Sequence, residues 1–545
     1  MSVSPKVSSR KEIINIMQDQ IINYVLLNVS VIIMYIYYIY KMKHGFHMLQ
    51  LESYFNSRYK TWMDKNKKEK LILRDCSLII PAIITAFNAR IGLIVGLVLT
   101  IILYMSRPIY KIKKPLAVTK RVKRLFSTST VIVVILAILA NVFLYFNTYV
   151  LASVLFILSM VVILSTYLVL AVNTINKPIE KSINNGFVKK AEKKLESYNN
   201  LKVVGITGSY GKTTTKYIVS SILSQKYNTL MTPASYNTTL GVVRTINENL
   251  EPIHEVFVCE MGAKNIGDIK EICDIVKPKY GILTAIGPQH LETFKTIENV
   301  QKTKMELVDS LPADGWAFVN NEDENISKIN FEKNTVKYGL DDKSEYYAYN
   351  IRIEESGSVF DVHTPTEEIT NIKTKLLGEH SILNIVGAIA VAQKLELNAD
   401  EIRSGIRFLK PVPHRLELKR NPNGLIIIDD AYNSNIKGAK MAVKTLGRFE
   451  NKTRILVTPG IVDLGKFAKK YNVEFGEEAT KFCDFIILVG EKQAVDLNEG
   501  INNMGYPKEK VYVAKDINDA FKKLGEFDAA HTVALLENDL PDNYL

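Results

Sequence analysis

Long uncharged runs crowd the first third of the chain, whereas from Leu201 onward short apolar strands alternate with helix-spaced patterns. Residues 21–40, "IINYVLLNVSVIIMYIYYIY", carry no charge. They match the roughly 20 residues a helix needs to cross a bilayer, and the tyrosines near the end suit an interface. Residues 130–147 and 149–173 form two more such runs, meeting at Phe146–Thr148, and read as a helical hairpin. The stretch 77–105 is interrupted by Pro81, Asn88 and Arg90. One tilted helix from about Ile83 to Tyr104 would bury Arg90 at a cost of roughly 2.5 kcal/mol or more. A shallow hairpin with Arg90 near its far end avoids that cost and keeps the basic loops 41–76 and 106–128 together on the cytoplasmic side. Both alternatives leave the chain after Asn173 in the cytoplasm. Region 1–175 is therefore expected to be a transmembrane region of four or five segments. The length and recurrence of its apolar runs argue against a cleavable signal peptide. In 176–199, Ile179, Ile183, Phe187, Ala191 and Leu195 recur every four residues, with Lys181, Lys189, Lys190, Lys193 and Lys194 on other faces. This predicts an amphipathic linker helix, either solvated or lying on an anionic lipid surface.

Composition changes the picture only where it is uneven. A chain of 545 residues has room for several domains, and its formal charge of +12 raises the question of nucleic acid. Many of the basic residues, however, sit between the apolar runs: Lys65, Lys67, Lys68 and Lys70, then Lys111, Lys113, Lys114, Lys120, Arg121, Lys123 and Arg124. Beside membrane spans, such residues are accounted for by anionic lipid and the positive-inside rule, and no nucleic-acid module is visible. Cys76, Cys259, Cys273 and Cys483 form no close pair, which disfavours a disulfide framework or zinc site and suits a reducing cytosol.

The chemistry begins at "VVGITGSYGKTTTKYIVSSIL", residues 203–223: an apolar strand, a glycine turn and a helical pattern. Such a turn cradles phosphates because successive backbone N–H groups and a helix amino terminus point at them. Thr207, Gly208, Ser209, Tyr210, Gly211, Lys212, Thr213 and Thr214 make up the candidate ATP-binding loop. Lys212 supplies charge, and the Thr213 hydroxyl is a magnesium ligand. The spacing is T-G-S-Y-G-K-T, shorter than the strict P-loop.

That shorter form resembles the Mur ligases, the ATP-dependent amide-forming enzymes of peptidoglycan synthesis, and their relative folylpolyglutamate synthase. The resemblance continues in order to about residue 500. "VFVCEMGAKNIGDI" (256–269) resembles the strand whose terminal glutamate, Glu260 here, holds magnesium. "LTAIGPQHLETFKTIENVQKTKMEL" (283–307) resembles the next strand and helix. The family pattern implies that His290 and a carbamylated Lys304 serve a second magnesium. "LLGEHSILNIVGAIAVA" (376–392) implies Asn384 near the adenine, "PHRLE" (413–417) Arg415 near the phosphates, and "IIIDDAYNSN" (426–435) Asp430 near the nucleotide. That last motif, with "ASYNTTLGV" (234–242), is most similar to the D-alanyl-D-alanine-adding branch. It suggests Asn237, Thr238, Tyr432 and Asn433 as substrate contacts. Departures are equally specific. The membrane region stands where the family's UDP-sugar domain is expected. Lys264 and Asn265 replace asparagine and histidine, His414 replaces glycine, and acidic Glu537 and Asp539 replace a basic loop.

The expected fold class is thus a membrane α-helical region joined to α/β domains. These are a doubly wound P-loop central domain at 200–413 and a smaller Rossmann-like domain at 414–545, in which "LIIIDD", "RILVTPG" and "FIILVG" are successive strands. The expected function is a multi-pass membrane ligase with its catalytic domains in the cytoplasm. It would use ATP and Mg2+ to join an amino acid, dipeptide or other amine to a cell-envelope precursor, through an acyl phosphate. Its partners would be membrane lipids and the envelope acceptor, with catalysis resting on Lys212, Glu260, His290 and Lys304. The alternatives are a poly-γ-glutamate-type polymer synthase and a non-ligating ATP-binding scaffold. Retention of both metal positions weighs against the scaffold.

Overall fold

A computed structural model describes the whole chain except residues 1–5, 67–72, 109–114, 145–147, 290, 355–356, 433–434, 463, 465–466 and 540–545. The described residues fall into two compact units that divide between Ile183 and Asn184.

The first unit is helical. Helices Lys6–Leu51, Ile79–Phe87, Ala89–Met105, Lys120–Phe143, Thr148–Ile163 and Ser165–Glu196 follow one another, the last continuing into the second unit. Two are long and apolar enough to cross a membrane, Met17–Leu51 and Lys120–Phe143, or three if the bent pair Thr148–Ile163 and Ser165–Glu196 counts as one span. The 77–105 stretch doubles back at Asn88, whose side chain accepts from Ile91 N and caps the second arm. The arms approach so closely that a Cβ on Gly92 would lie 2.5 Å from Thr85 N, and one on Gly96 would lie 3.2 Å from Pro81 Cβ. Arg90 sits just past the turn and pairs with Asp19 at 2.5 Å. Buried Asp75 takes Lys41 Nζ at 2.7 Å and the Tyr37 hydroxyl at 2.8 Å, as a carboxylate without water must.

Two expectations are corrected here. The apolar run 149–173 is not one straight segment. It turns by 87° at Leu164, which donates to Met160 O at 2.8 Å and accepts from Leu168 N at 2.9 Å, so the residue at the bend keeps both its backbone groups paired. Nor is the 176–199 linker a separate helix, since it continues the helix that begins at Ser165, with Pro178 inside it.

The second unit contains two sheets. The larger has strand order β2-β3-β1-β4-β5-β6-β7-β8-β9. Its parallel strands are β1 (Lys202–Thr207), β2 (Thr229–Met231), β3 (Val256–Glu260), β4 (Tyr280–Leu283), β5 (Trp316–Asn320), β6 (Thr335–Gly339) and β7 (Tyr346–Glu354). Antiparallel β8 (Gly357–His363) and β9 (Glu368–Thr374) extend it. β1, β3, β4 and β5 are almost wholly buried because helices cover both faces. Helices Lys212–Leu223 and Glu379–Lys394 share one core with β1 and β4, while Asp268–Val276 and Ile297–Asp309 close the other side. β1 lies between β3 and β4, and the chain that runs from β1 to β2 and β3 on one side crosses to β4 on the other, which opens a crevice at their carboxyl ends.

The smaller sheet has order β10-β11-β15-β12-β13-β14. It comprises β10 (Glu417–Arg420), β11 (Ile426–Asp430), β12 (Thr453–Thr458), β13 (Phe485–Val489), β14 (Val511–Ala514) and β15 (Thr532–Glu537). All pairs are parallel except β10 with β11. The strands predicted at "LIIIDD" and "RILVTPG" exist but are not neighbours, because "VALLE" inserts between them as β15. Glu537, expected in a loop, is therefore buried at a strand end directly opposite Asp430.

Candidate active site

The crevice is lined by the carboxyl ends of β1, β3 and β4. Gly208 has φ +151°, and a Cβ there would lie 2.0 Å from Thr284 Oγ1 and 2.9 Å from Ala285 N, so only glycine lets the loop pass β4. Gly211, at φ +78°, starts the helix Lys212–Leu223 without a side-chain cap, which leaves its amino-terminal N–H groups for an anion. A Cβ on Gly211 would meet Asn384 Oδ1 at 3.0 Å, which sets Asn384 against the phosphate turn. Two predicted loop residues are structural in this geometry. Thr207 Oγ1 donates to Met261 O at 2.9 Å, and Ser209 donates its N–H to Ala285 O and its hydroxyl to Gly287 O. Tyr210 is largely buried, and its hydroxyl has no hydrogen-bond partner among the described residues. Thr214 is partly exposed in the helix's first turn.

Positive charge gathers around this turn. Lys212 Nζ donates to Gly208 O at 2.7 Å. Burial pushes its pKa down to about 8; Glu260 opposes the shift and the Arg415 guanidinium adds to it. Lys304, on helix Ile297–Asp309, is buried without an ion pair among the described residues. Its pKa is driven well below the lysine range, first by burial and then by the charge of Lys212. Arg415 lies over the Tyr432 ring at 4.7 Å. The positive potential of Lys212 and Arg415 at this turn suits a polyanion.

Glu260 is the counterweight. Fully buried at the end of β3, it accepts on Oε1 from Thr213 Oγ1 at 3.0 Å and Asn237 Nδ2 at 2.9 Å, and its Oε2 lies 3.1 Å from Lys216 Nζ. Thr213 Oγ1 and Glu260 Oε1 are hard oxygen donors at adjoining positions, a set that fits magnesium. Thr238 instead caps a helix, accepting from Gly241 N. Tyr432 reaches the central domain, its hydroxyl 2.5 Å from Ser235 Oγ. Lys437 likewise lies 3.3 Å from Asp323. Asp430 accepts from Leu416 N, and its pKa is raised, mainly by burial. His290 and Asn433 lie outside the described residues.

Residues 206–392 match the Mur ligase middle domain, and residues 414–536 match the Mur ligase glutamate ligase domain. The UDP-N-acetylmuramoyl-tripeptide–D-alanyl-D-alanine ligase of Escherichia coli K12 is 30% identical over 306 residues, which cover 55% of this chain and 67% of that protein. The chain belongs to the Mur ligase family. It is an ATP-dependent ligase, and the family's cofactors are ATP and Mg2+. MurF from Acinetobacter baumannii superposes with a TM-score of 0.60 at 25% identity, over 65% of this chain and 77% of that one. The MurF ligase of Thermotoga maritima, solved with ADP, gives 0.59 at 26% identity over 65% and 80%.

Several residues of this Mur ligase site escaped the sequence. Lys216 is the clearest. It sits one turn beyond Lys212, and its place among buried Thr215, Ile218 and Val219 was the available signal. His414 was noticed only as a replaced glycine. It adopts the left-handed φ of 59° that glycine would favour, and its ring lies 2.8 Å from Asp429.

Proposed function

We propose that this Mur ligase is membrane-anchored and joins an amine to the carboxylate of a peptidoglycan or other cell-envelope precursor, through an acyl phosphate. The observation that carries this reading is a phosphate turn with Thr213 and Glu260 at its mouth, in a chain whose preceding helical unit is rich in apolar segments. The family matches begin only at residue 206, and the preceding unit contains the two helices apolar enough to span. The named D-alanyl-D-alanine ligases support an amino acid or dipeptide as the amine and a UDP-muramyl-peptide-like or lipid-linked acceptor.

Magnesium, held by Thr213 and Glu260, would neutralise phosphate charge. The Lys212 and Arg415 cations and the helix amino terminus orient the triphosphate, since phosphoryl transfer depends on positioning and charge. The acceptor carboxylate takes the γ-phosphoryl group, its carbonyl carbon is attacked by the neutral amine, and inorganic phosphate leaves. Lys304 suits a carbamate: burial and Lys212 favour its neutral amine, which is the form that adds carbon dioxide. A carbamylated Lys304 with His290 would then serve a second magnesium. Contacts of Tyr432 with Ser235 and of Lys437 with Asp323 support closure of the carboxy-terminal domain over the nucleotide.

The test is phosphate release by detergent-purified protein with ATP and magnesium. One arm contains UDP-muramyl tripeptide with D-alanyl-D-alanine, the other a membrane-lipid extract with an amino-acid pool. Release that needs the lipid arm and is lost in Lys212→Ala supports a lipid-linked acceptor. Release in the soluble arm alone reduces the helical unit to an anchor, and release in neither overturns the proposed acceptors.

A further inference from the structure

We propose that Lys216 is a positioning residue of the magnesium site, holding Glu260 so that Oε1 alone meets the metal and tying that carboxylate to the loop 232–238. The inference rests on Glu260 being the magnesium ligand. Lys216 has no exposed side-chain surface, and its Nζ lies 3.1 Å from Glu260 Oε2. The same ammonium donates to the carbonyl of Ala234. The two oxygens of one carboxylate therefore have different surroundings. Oε2 faces a cation that repels a divalent ion, whereas Oε1 faces the Thr213 hydroxyl, the other hard ligand, at 3.0 Å. A metal held by Thr213 and Glu260 would therefore find Oε1 as its carboxylate donor.

The pairing also solves a problem that exists before metal arrives. Glu260 is wholly buried, and Lys216 is the basic side chain set against its Oε2, so the ligand is aimed in advance. The second bond of Lys216 reaches a loop attached at two more points: Ser235 meets Tyr432, and Asn237 donates to Glu260 Oε1 at 2.9 Å, while Ala234 itself takes a left-handed φ of 43°. Lys216 thus connects the metal carboxylate with the loop that the carboxy-terminal domain touches.

ADP binding to the full-length protein in detergent would be measured by calorimetry with EDTA and again with magnesium, for wild type, Lys216→Met, Lys216→Gln and Glu260→Gln. The readout is the magnesium-dependent gain in affinity, which general loosening of the fold does not select. Lys216→Met should lose about 10-fold or more of that gain, as loss of a ligand's supporting partner does, while metal-free affinity stays unchanged. Lys216→Gln keeps a donor without the charge and should fall between. A wild-type gain in Lys216→Met overturns the proposal. If that variant does not fold, a wild-type gain in Lys216→Gln does so. If Glu260→Gln keeps the full gain, the metal assignment itself fails, an outcome separate from normal loss in Glu260→Gln with none in Lys216→Met.

Discussion

Replacing Lys212 with methionine should make the nucleotide-free protein harder to unfold while abolishing nucleotide binding. The Lys212 ammonium falls from the ordinary 10.5 to about 8, chiefly through burial. A fall of about 2.5 corresponds to roughly 3.4 kcal/mol against the charged form in the folded state. That figure must be discounted. The side chain is not wholly enclosed, and methionine gives up hydrogen bonds to Gly208 O at 2.7 Å and Ser209 O at 3.4 Å, roughly 1 kcal/mol each at most. The net gain is about 1–2 kcal/mol. Its sign follows from the depressed pKa. Below pH 8 the lysine is charged in both states and the penalty is full; it fades between about 8 and 10.5 and is gone above. Thermal melts of the full-length protein would be run at pH 7.5 and at pH 10, with and without ADP and magnesium. At pH 7.5 the nucleotide-free variant should melt a few degrees above wild type, with the gap narrowing at pH 10. Nucleotide should raise the wild-type melt and leave the variant unmoved. A variant that melts below wild type at pH 7.5, or gains as much from nucleotide, would refute the burial argument.

Gly208→Ala should abolish ADP binding without dismantling the fold, because the added methyl drives into Thr284 Oγ1 and the Ala285 backbone. Calorimetry showing wild-type affinity would contradict the glycine argument. Half-buried His380 has its pKa lowered to about 4 by desolvation, so it stays neutral in the fold while the unfolded chain protonates near 6.5. Stability tied to it is complete above pH 6.5 and is lost, by up to ~3 kcal/mol, as pH falls to 4. Urea midpoints of His380→Asn should be flatter than wild type over that interval, and parallel curves would assign the acid loss to other groups.

Much of the site is readable along the chain because phosphate binding is local. A strand, a turn of small residues and a helix start within 203–223 bring their own backbone N–H groups, and Lys212 and Thr213 follow directly. The Mur ligase membership and the use of ATP and magnesium follow from such stretches taken in order. Uncharged runs mark the candidate spans less completely: of the four or five segments expected, two helices among the described residues, or three with the bent pair, are long and apolar enough to cross.

What the sequence alone could not contain is the set of relations between distant segments. The insertion of β15 between β11 and β12 depends on pairing across about a hundred residues, and it alone turns Glu537 from a loop acid into the buried neighbour of Asp430. The 87° turn at Leu164 leaves no mark in hydropathy, since the apolar run continues through it. Lys216 looks like one more surface lysine until β3 lays Glu260 beside it. Glycines and apolar spacing act on their own neighbours and so declare themselves. The charge of a lysine or glutamate takes its meaning from whatever the folded chain brings within a few ångströms, and only tertiary structure decides that.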